Sequence, residues 1–292
     1  MKKQAGRDWR CGDRILKVDD RPLLMGILNV TPDSFSDGGR YVDTDAAVAR
    51  ARQMVGEGAD IIDVGGESTR PGAAAVSVRE EAERVVPVIR ALVADCADAV
   101  VSVDTRKAAV AAAAVQAGAR IINDVSAMTH DPAIVEVARA SGAGVVLMHM
   151  RGDPETMQDD PAYTDVVADV GKYLHQRVAA LTDRGGLALD SLVIDPGIGF
   201  GKTVEHNLDL LANLAALAID GRPVLVGASR KSTIGVVTGR PVGERLPGSL
   251  AVAVYAVING ARILRVHDVA ETSDAMRMLA AIQGKARGTG VD

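Results

Sequence analysis

Eight short apolar runs recur along the chain, and their spacing narrows the choice of fold more than any other feature of the sequence. They are rich in Ile, Val and Leu without polar alternation, as expected for parallel strands that are buried on both faces. Patterns typical of amphipathic helices separate them. The runs occupy residues 23–29, 61–64, 100–104, 121–125, 145–149, 192–195, 224–229 and 263–267.

This alternation of strand and helix, without a linker rich in Pro or Ser, predicts an α/β fold in which the strands close into a (β/α)8 TIM barrel. An open, doubly wound sheet is the alternative. We expect a single domain over residues 1–292, with the barrel at about residues 23–284, because barrels of this length are common. A short N-terminal β-hairpin at residues 10–18 is predicted to cover the bottom of the barrel.

One of the helices is clearly bounded by its sequence. Asp43 or Thr44 can cap its first amide groups, and Gly58 can adopt the left-handed conformation at its end. A single apolar stripe between these two ends is formed by Ala47, Val48, Ala51, Met54 and Val55.

The composition argues against several classes of partner. Lys and Arg total 33 against 38 Asp and Glu, and no basic tract is interleaved with aromatic residues, so a nucleic acid is not expected. Residues 1–13 lack the apolar segment of a secretory signal, and the apolar runs are shorter than the roughly 20 residues that cross a bilayer. We therefore expect a cytoplasmic protein. Two cysteines and five scattered histidines predict neither a disulfide framework nor a zinc site.

Polar side chains stand at the end of nearly every predicted strand. In barrel enzymes the carboxyl ends of the strands carry the chemistry. Asp and Asn also cap helices and begin loops, which explains some of these positions singly but not all of them together. The residues are Asn29, Asp63, Asp104, Asn123, Asp124, His149, Asp195, Ser229, Arg230, Lys231, Arg265 and His267.

Arg265 and His267 stand two residues apart, so on a strand their side chains leave the same face. A guanidinium beside a protonatable imidazole favours a phosphate or diphosphate site. A salt bridge between Arg265 and a neighbouring Asp is the alternative interpretation.

Two further segments follow strands. The segment 227–232 turns into a helix start, where free amide groups favour an anion, and Ser229 could hold a carboxylate there. Lys231 could form a Schiff base, but it lies past the strand in a turn, which makes this route less favoured. The glycine-rich run 195–203 has Pro196 and Lys202 where phosphate-binding and dinucleotide-binding motifs need Gly, so we interpret it as a tight loop that places Phe200 over the pocket.

Taken in order, these segments resemble the motifs of the dihydropteroate synthase family. The run Asn29-Val-Thr-Pro-Asp-Ser-Phe-Ser-Asp-Gly38 is similar to the first mobile loop of that family, and Gly65-Gly-Glu-Ser-Thr-Arg-Pro-Gly72 is similar to the second. Shorter matches follow at residues 104–106, 123–124, 148–149, 195–201, 229–232 and 265–267. The resemblance spans residues 23–268.

The resemblance implies an enzyme of folate biosynthesis that joins 6-hydroxymethyl-7,8-dihydropterin diphosphate to p-aminobenzoate and is a target of sulfonamides. Diphosphate would leave first, and the amine would attack the cationic methylene that remains. Asp104, Asp195, Lys231, Arg265 and His267 would be the catalytic residues. The family also suggests a homodimer that forms through the outer helices.

The resemblance further implies three subsites and a Mg²⁺ ion held by Asn29. The pterin would contact Asp104, Asn123, Met148, Asp195 and Lys231. The diphosphate would contact Asn29, Thr69, Arg70, Arg265 and His267. The p-aminobenzoate would lie among Phe35, Thr69, Pro71, Phe200, Ser229 and Lys231.

Two other functions fit a barrel of this kind. One is a pterin-binding paralogue without synthase activity, although Asn29, Phe35, Arg70, Lys231 and His267 are all intact. The other is a methyltransferase that uses a folate substrate on a related barrel. Such an enzyme would need no diphosphate clamp, so diphosphate binding that depends on Arg265 would distinguish the two.

Overall fold

Eight parallel strands close into a barrel in which each strand lies beside the next one along the chain and the last lies beside the first. The computed structural model of the chain describes residues 8–19, 21–31, 44–68, 75–96, 98–153, 156–159 and 161–286. Closure is achieved where the strand Ala261–Val266 pairs with the strand Leu23–Asn29 on one side and with the strand Val224–Val226 on the other. The predicted barrel is therefore confirmed, and the open doubly wound sheet was wrong.

The strands follow the apolar runs closely. An antiparallel hairpin of β1 (Trp9–Cys11) and β2 (Arg14–Leu16) precedes the barrel. The barrel strands are β3 (Leu23–Asn29), β4 (Ile61–Gly65), β5 (Val100–Asp104), β6 (Ile121–Asp124), β7 (Gly144–Met148), β8 (Leu192–Asp195), β9 (Val224–Val226) and β10 (Ala261–Val266).

Helices cover the outside of the barrel. In the described ranges they are α1 (Thr44–Glu57), α2 (Val78–Asp95), α3 (Ala108–Gln116), α4 (Ile134–Ser141), α5 (Val166–Ala179), α6 (Val204–Ala212), α7 (Ser232–Thr238), α8 (Leu246–Ile258) and α9 (Val269–Ala286). The stripe expected on α1 is confirmed, since Ala47, Val48, Ala51 and Met54 are buried and Val55 packs beside them. Gly58 follows the helix with a φ of 107°.

Four strands, β6, β7, β9 and β10, end earlier than the apolar runs do. His149, Ser229 and His267 lie just beyond β7, β9 and β10 rather than on them. At Ser229 the reason is visible, because the backbone turns there and Arg230 adopts a φ of 59° that no strand permits. These three side chains therefore project from loops at the carboxyl end of the barrel.

The N-terminal hairpin seals the opposite end of the barrel, as predicted. Trp9 and Cys11 are fully buried against an interior layer that includes Met25 and Ile61, and the Trp9 indole donates to the carbonyl of Ser191 at 2.8 Å. Contact is so close at Gly144 that an added Cβ would lie 2.5 Å from the Cys11 sulfur. The lower interior is consequently apolar, and the polar residues are confined to the carboxyl end.

No helix in the described ranges has the length and apolar character needed to cross a membrane.

Candidate active site

A buried carboxylate, Asp63 on β4, is at the centre of the polar interior. Its side chain is fully buried, and its Oδ2 atom accepts from Arg265 Nε at 2.7 Å and from Asn123 Nδ2 at 2.8 Å. Arg265 Nη2 in turn donates to Asp104 Oδ2 at 2.7 Å. Four strands, β4, β5, β6 and β10, thus contribute side chains to one network. They lie close together because β4, β5 and β6 are successive neighbours and only β3 separates β10 from β4.

The network settles how Arg265 is held. The salt bridge that the sequence left as an alternative to an anion site is present, with both Asp63 and Asp104 as partners. Burial opposes the charge of the guanidinium, but these two carboxylates outweigh it and raise the pKa of Arg265. Two of the five guanidinium N–H groups make these bonds, so others remain to meet a ligand.

Asp104 and Asp195 are poised to change protonation near neutrality. Burial raises the pKa of Asp104 to about 7, with a further contribution from Asp63 and opposition from Arg265. Burial likewise raises the pKa of Asp195 to about 6, opposed by the Gly197 amide, which donates to Asp195 Oδ1 at 2.7 Å. Carboxylates with pKa values raised in this way are frequent at catalytic sites.

Lys231 occupies the residue before α7, with its ammonium directed back over the barrel mouth. Its Nζ atom lies 3.8 Å from the centre of the Phe200 ring, a favourable cation–π contact. Burial and the charge of Arg265 lower the pKa of Lys231 to about 8, although Asp195 opposes this. Lys231 is therefore mostly cationic at neutral pH and lies between the two carboxylates and the ring.

Phe200 belongs to a small apolar cluster at the carboxyl end of the barrel, separate from the main core. Val125, Met148 and Met157 are the other buried members. The cluster forms an apolar wall beside Asp195, which pairs with Met148 in the β7–β8 register. The expectation that Phe200 leans over the site agrees with this position.

Ser229 and His267 are in contact with one another. The Ser229 hydroxyl lies 3.1 Å from His267 Nδ1 and accepts from the His267 amide at 3.3 Å. Burial, Arg265 and Arg230 lower the pKa of His267 to about 4, so the imidazole is neutral at pH 7. In this state it can meet an anion through an N–H group only.

Asn29, at the end of β3, lies beside the place that a side chain at Gly65 would fill. Gly65, its neighbour on β4, has no side chain, and a Cβ built there would lie 3.8 Å from Asn29 Oδ1 and 3.7 Å from Asp104 Oδ2. An amide oxygen and a carboxylate oxygen thus face one gap. Such hard oxygen donors suit Mg²⁺, which keeps several of its waters and needs few protein ligands.

Four expected site residues, Phe35, Thr69, Arg70 and Pro71, lie outside the described residues. Asp124, also expected at a strand end, is turned away from the interior. Its carboxylate accepts from the amide groups of Ser126 and Met128, so it stabilises the loop after β6.

Residues 25–267 match the family of pterin binding enzymes.

The chain belongs to this family.

Within the family, the dihydropteroate synthase of Escherichia coli K12 is 51% identical over 260 residues, covering 89% of this chain and 91% of that protein. The Yersinia pestis dihydropteroate synthase, solved with a sulfonamide drug, superposes with a TM-score of 0.89 at 45% identity, covering 95% and 99% of the two chains. The Burkholderia cenocepacia enzyme, solved with 7,8-dihydropteroate, gives a TM-score of 0.87 at 45% identity, covering 96% and 98%. The present chain shares their activity and is a transferase of folate biosynthesis.

Two buried residues of the site, Asp63 and Lys202, were given no role by the sequence analysis. Asp63 was noted only as one of many strand-end residues, and Lys202 only as a residue that excludes a dinucleotide motif. The signal for Lys202 was available, since a lysine that directly follows three alternating glycines, Gly197, Gly199 and Gly201, invites a search for backbone carbonyl partners. For Asp63 no spacing could have identified Arg265, which lies 202 residues away.

Proposed function

We propose that the chain binds 6-hydroxymethyl-7,8-dihydropterin diphosphate inside the barrel and condenses it with p-aminobenzoate at the barrel mouth. The observation that carries this proposal is the buried network of Asp63, Arg265 and Asp104, which lies beside Asp195 and Lys231. It combines carboxylates, cations and an amide above an apolar floor, as recognition of a flat, polar-edged heterocycle requires.

The pterin would be recognised along its polar edge. Asp195 and Asp104 can accept from ring N–H and amino groups, whereas Lys231 donates to a ring acceptor. Asp63 orients the Asn123 amide, because Asn123 Nδ2 donates to the Asp63 carboxylate. The Asn123 amide oxygen therefore faces away from Asp63. Met148 would contact one face of the ring from the apolar wall.

Condensation would proceed by departure of the diphosphate followed by attack of the amine. The positive charge left on the pterin methylene and ring would be stabilised by the carboxylates of Asp104 and Asp195, which are ionised when the pH exceeds their raised pKa values. Departure of the diphosphate would be assisted by hydrogen bonds from Arg265 and His267. The reaction then needs charge stabilisation more than a strong base.

Mg²⁺ is the cofactor that we propose for this step. Asn29 would hold it at the gap beside Gly65, where it would neutralise charge on the diphosphate oxygens. Thr69 and Arg70 are expected to contact the same diphosphate.

The p-aminobenzoate would lie against Phe200 and Lys231, with its carboxylate near the Ser229 turn. The Lys231 ammonium lies 3.8 Å from the centre of the Phe200 ring, so an aromatic amine beside this pair would meet both an apolar ring and a cation. Phe35, Thr69 and Pro71 are expected to complete this pocket. Since the Yersinia relative was solved with a sulfonamide drug, we extend sulfonamide binding to the same pocket.

We further propose a cytoplasmic homodimer. Three neighbouring helices, α7, α8 and α9, expose large apolar side chains on the outside of the barrel. Contiguous exposed apolar surface of this kind is typical of an interface between subunits. The residues on these helices are Val236, Val237, Tyr255, Ile258, Met278 and Ile282, and Val242 is exposed in the turn between α7 and α8.

The decisive test measures diphosphate release by the purified protein given the pterin diphosphate and Mg²⁺, with and without p-aminobenzoate. We expect release that requires Mg²⁺ and yields dihydropteroate when the amine is present. Asp104→Ala should abolish product formation while the protein remains folded by circular dichroism. Pterin binding without turnover by the unaltered protein would favour the non-catalytic paralogue instead.

A further inference from the structure

Lys202 is an almost fully buried lysine at the end of the glycine-rich loop 196–201, and its exposed fraction is 3%. Its Nζ atom is surrounded by acceptors. The carbonyl oxygens of Phe200, Gly197 and His149 lie at 2.9, 3.0 and 3.2 Å, and His149 Nδ1 lies at 3.0 Å. A buried ammonium is costly unless its donors are met, and here every donor is met.

These acceptors belong to two separate elements of the barrel. Gly197 and Phe200 are in the loop after β8, whereas His149 follows β7. The His149 amide also donates to the carbonyl of Asp195 at 2.9 Å. Lys202 therefore joins the loop after β8 to the end of β7. Asp195, the last residue of β8, is bonded to the same end of β7 through the His149 amide.

The loop itself is pressed against β7 and cannot move far. Gly197, Gly199 and Gly201 all have positive φ angles, and a Cβ at Gly197 would lie 1.9 Å from the His149 carbonyl oxygen. The carbonyls of the two residues that flank Phe200 also have partners, since Gln158 donates to Gly199 and Tyr163 donates to Gly201. The position of the Phe200 ring is thus set by backbone contacts that meet at Lys202.

We propose that Lys202 is a positioning residue for the condensation, because its Nζ atom ties loop 196–201 to the end of β7 and so holds Phe200 and Asp195 beside Lys231. This proposal rests on the aminobenzoate pocket proposed above. Lys202 does not touch either substrate. It acts through the backbone of Gly197, whose amide binds the Asp195 carboxylate, and through the backbone of Phe200, whose ring contacts Lys231.

The charge of the cluster supports this role. Burial lowers the pKa of Lys202 to about 7, and Asp195 opposes the shift. Burial and Lys202 together lower the pKa of His149 to about 3, so the imidazole stays neutral and can accept at Nδ1. Because His149 is neutral, its Nδ1 atom can accept a hydrogen bond from Lys202 Nζ.

The test is a double-mutant cycle between Lys202→Met and Phe200→Ala, in which KM and kcat are measured for each substrate. We expect Lys202→Met to raise the KM for p-aminobenzoate about 10-fold, because a displacement near 1 Å is enough for such a loss. In the Phe200→Ala background the same substitution should change that KM by less than about 2-fold, since coupled residues are not additive. Equal effects in the two backgrounds would overturn the proposal.

Controls separate positioning from stability. Trp9→Phe removes a buried hydrogen bond to a carbonyl at the far end of the barrel, so it should lower the melting temperature without changing either KM. If Lys202→Met does not fold, Tyr163→Phe removes a milder tie to the same loop and should raise the KM for p-aminobenzoate in the same direction. An unchanged KM in the folded variant that is tested contradicts the proposal.

The double-mutant cycle also tests the positioning role of Lys202 separately from the aminobenzoate pocket at Phe200. A defective Phe200→Ala enzyme together with a normal Lys202→Met enzyme would refute the positioning role alone. A Phe200→Ala enzyme with an unchanged KM for p-aminobenzoate would refute the pocket itself and the positioning role with it.

Discussion

Asp63 Oδ2 accepts a hydrogen bond from Arg265 Nε at 2.7 Å, with the carboxylate fully buried and the guanidinium largely so. The pair joins β4 to β10 across β3 and fixes the orientation of the cation expected to meet the diphosphate. The ion pair therefore stabilises the fold and also orients Arg265 for the reaction.

We predict that Asp63→Asn lowers kcat/KM by about 100-fold, because the preorganised Arg265 and Asn123 lose their shared partner. Breaking a buried ion pair should also lower the free energy of unfolding by about 3 kcal/mol. Steady-state kinetics and denaturant unfolding measure the two effects.

A matched control lies at the other end of the same strand region. Asp60 also pairs with an arginine, Arg21, but outside the site and with the Arg21 side chain exposed, so Asp60→Asn should leave kcat/KM unchanged. Similar kinetic losses in both variants would contradict the role assigned to Asp63.

The pH dependence of kcat/KM should be bell-shaped. Below the pKa values of Asp195, about 6, and Asp104, about 7, the protonated acids cannot stabilise a cation, so activity falls as the pH decreases. Above the pKa of Lys231, about 8, the amine is neutral and activity falls again. Rates measured across this range should show both limbs, and Lys231→Arg should retain the acid limb and lose the alkaline one. A flat profile would rule out these assignments.

Gly65→Ala should fold normally yet require more Mg²⁺. The added methyl group has ordinary contacts of 3.6 Å or more, but it occupies the gap between Asn29 and Asp104. We expect the Mg²⁺ concentration for half-maximal activity to rise about 10-fold, as for other changes beside a metal ligand. Gly56→Ala, a substitution in α1 with nothing within 4 Å, provides the control and should leave the Mg²⁺ dependence unaltered.

Charge on the apolar outer surface should separate the subunits. Val237→Glu together with Ile258→Glu places carboxylates on exposed positions of α7 and α8, where burial in an interface would be costly. Analytical ultracentrifugation should give twice the chain mass of 30.4 kDa for the unaltered protein and the single-chain mass for this variant. Ile15→Glu, on the N-terminal hairpin, should remain dimeric. A monomeric unaltered protein would exclude the proposed dimer.

Sulfonamides should compete with p-aminobenzoate for the pocket at Phe200. Raising the p-aminobenzoate concentration should therefore raise the concentration of drug needed for half inhibition in proportion. Inhibition that does not respond to p-aminobenzoate would place the drug elsewhere.

Much of this architecture could be predicted from local sequence, because buried parallel strands leave uninterrupted apolar runs and strand-end residues follow directly after them. Residues 23–29, 100–104 and 192–195 were predicted to the residue. What local sequence could not supply is partnership across the barrel. The bonds from Arg265 to Asp63 and from Ser229 to His267 depend on closure and strand register, and the neutral state of His267 depends on burial that only the closed barrel creates.

The hairpin at the base of the barrel limits the route by which substrates can enter and the product can leave. Because Trp9 and Cys11 fill the lower end, the polar interior of the described chain is approached from the carboxyl end alone. Asn123 and Asp195 lie within the strands, whereas Phe200 lies in the loop above them. If the pterin binds at Asn123 and Asp195 and the amine binds at Phe200, as proposed, an amine that bound first would block the path to the pterin site. The pterin would then have to bind before the amine, and the product would have to leave from the carboxyl end of the barrel.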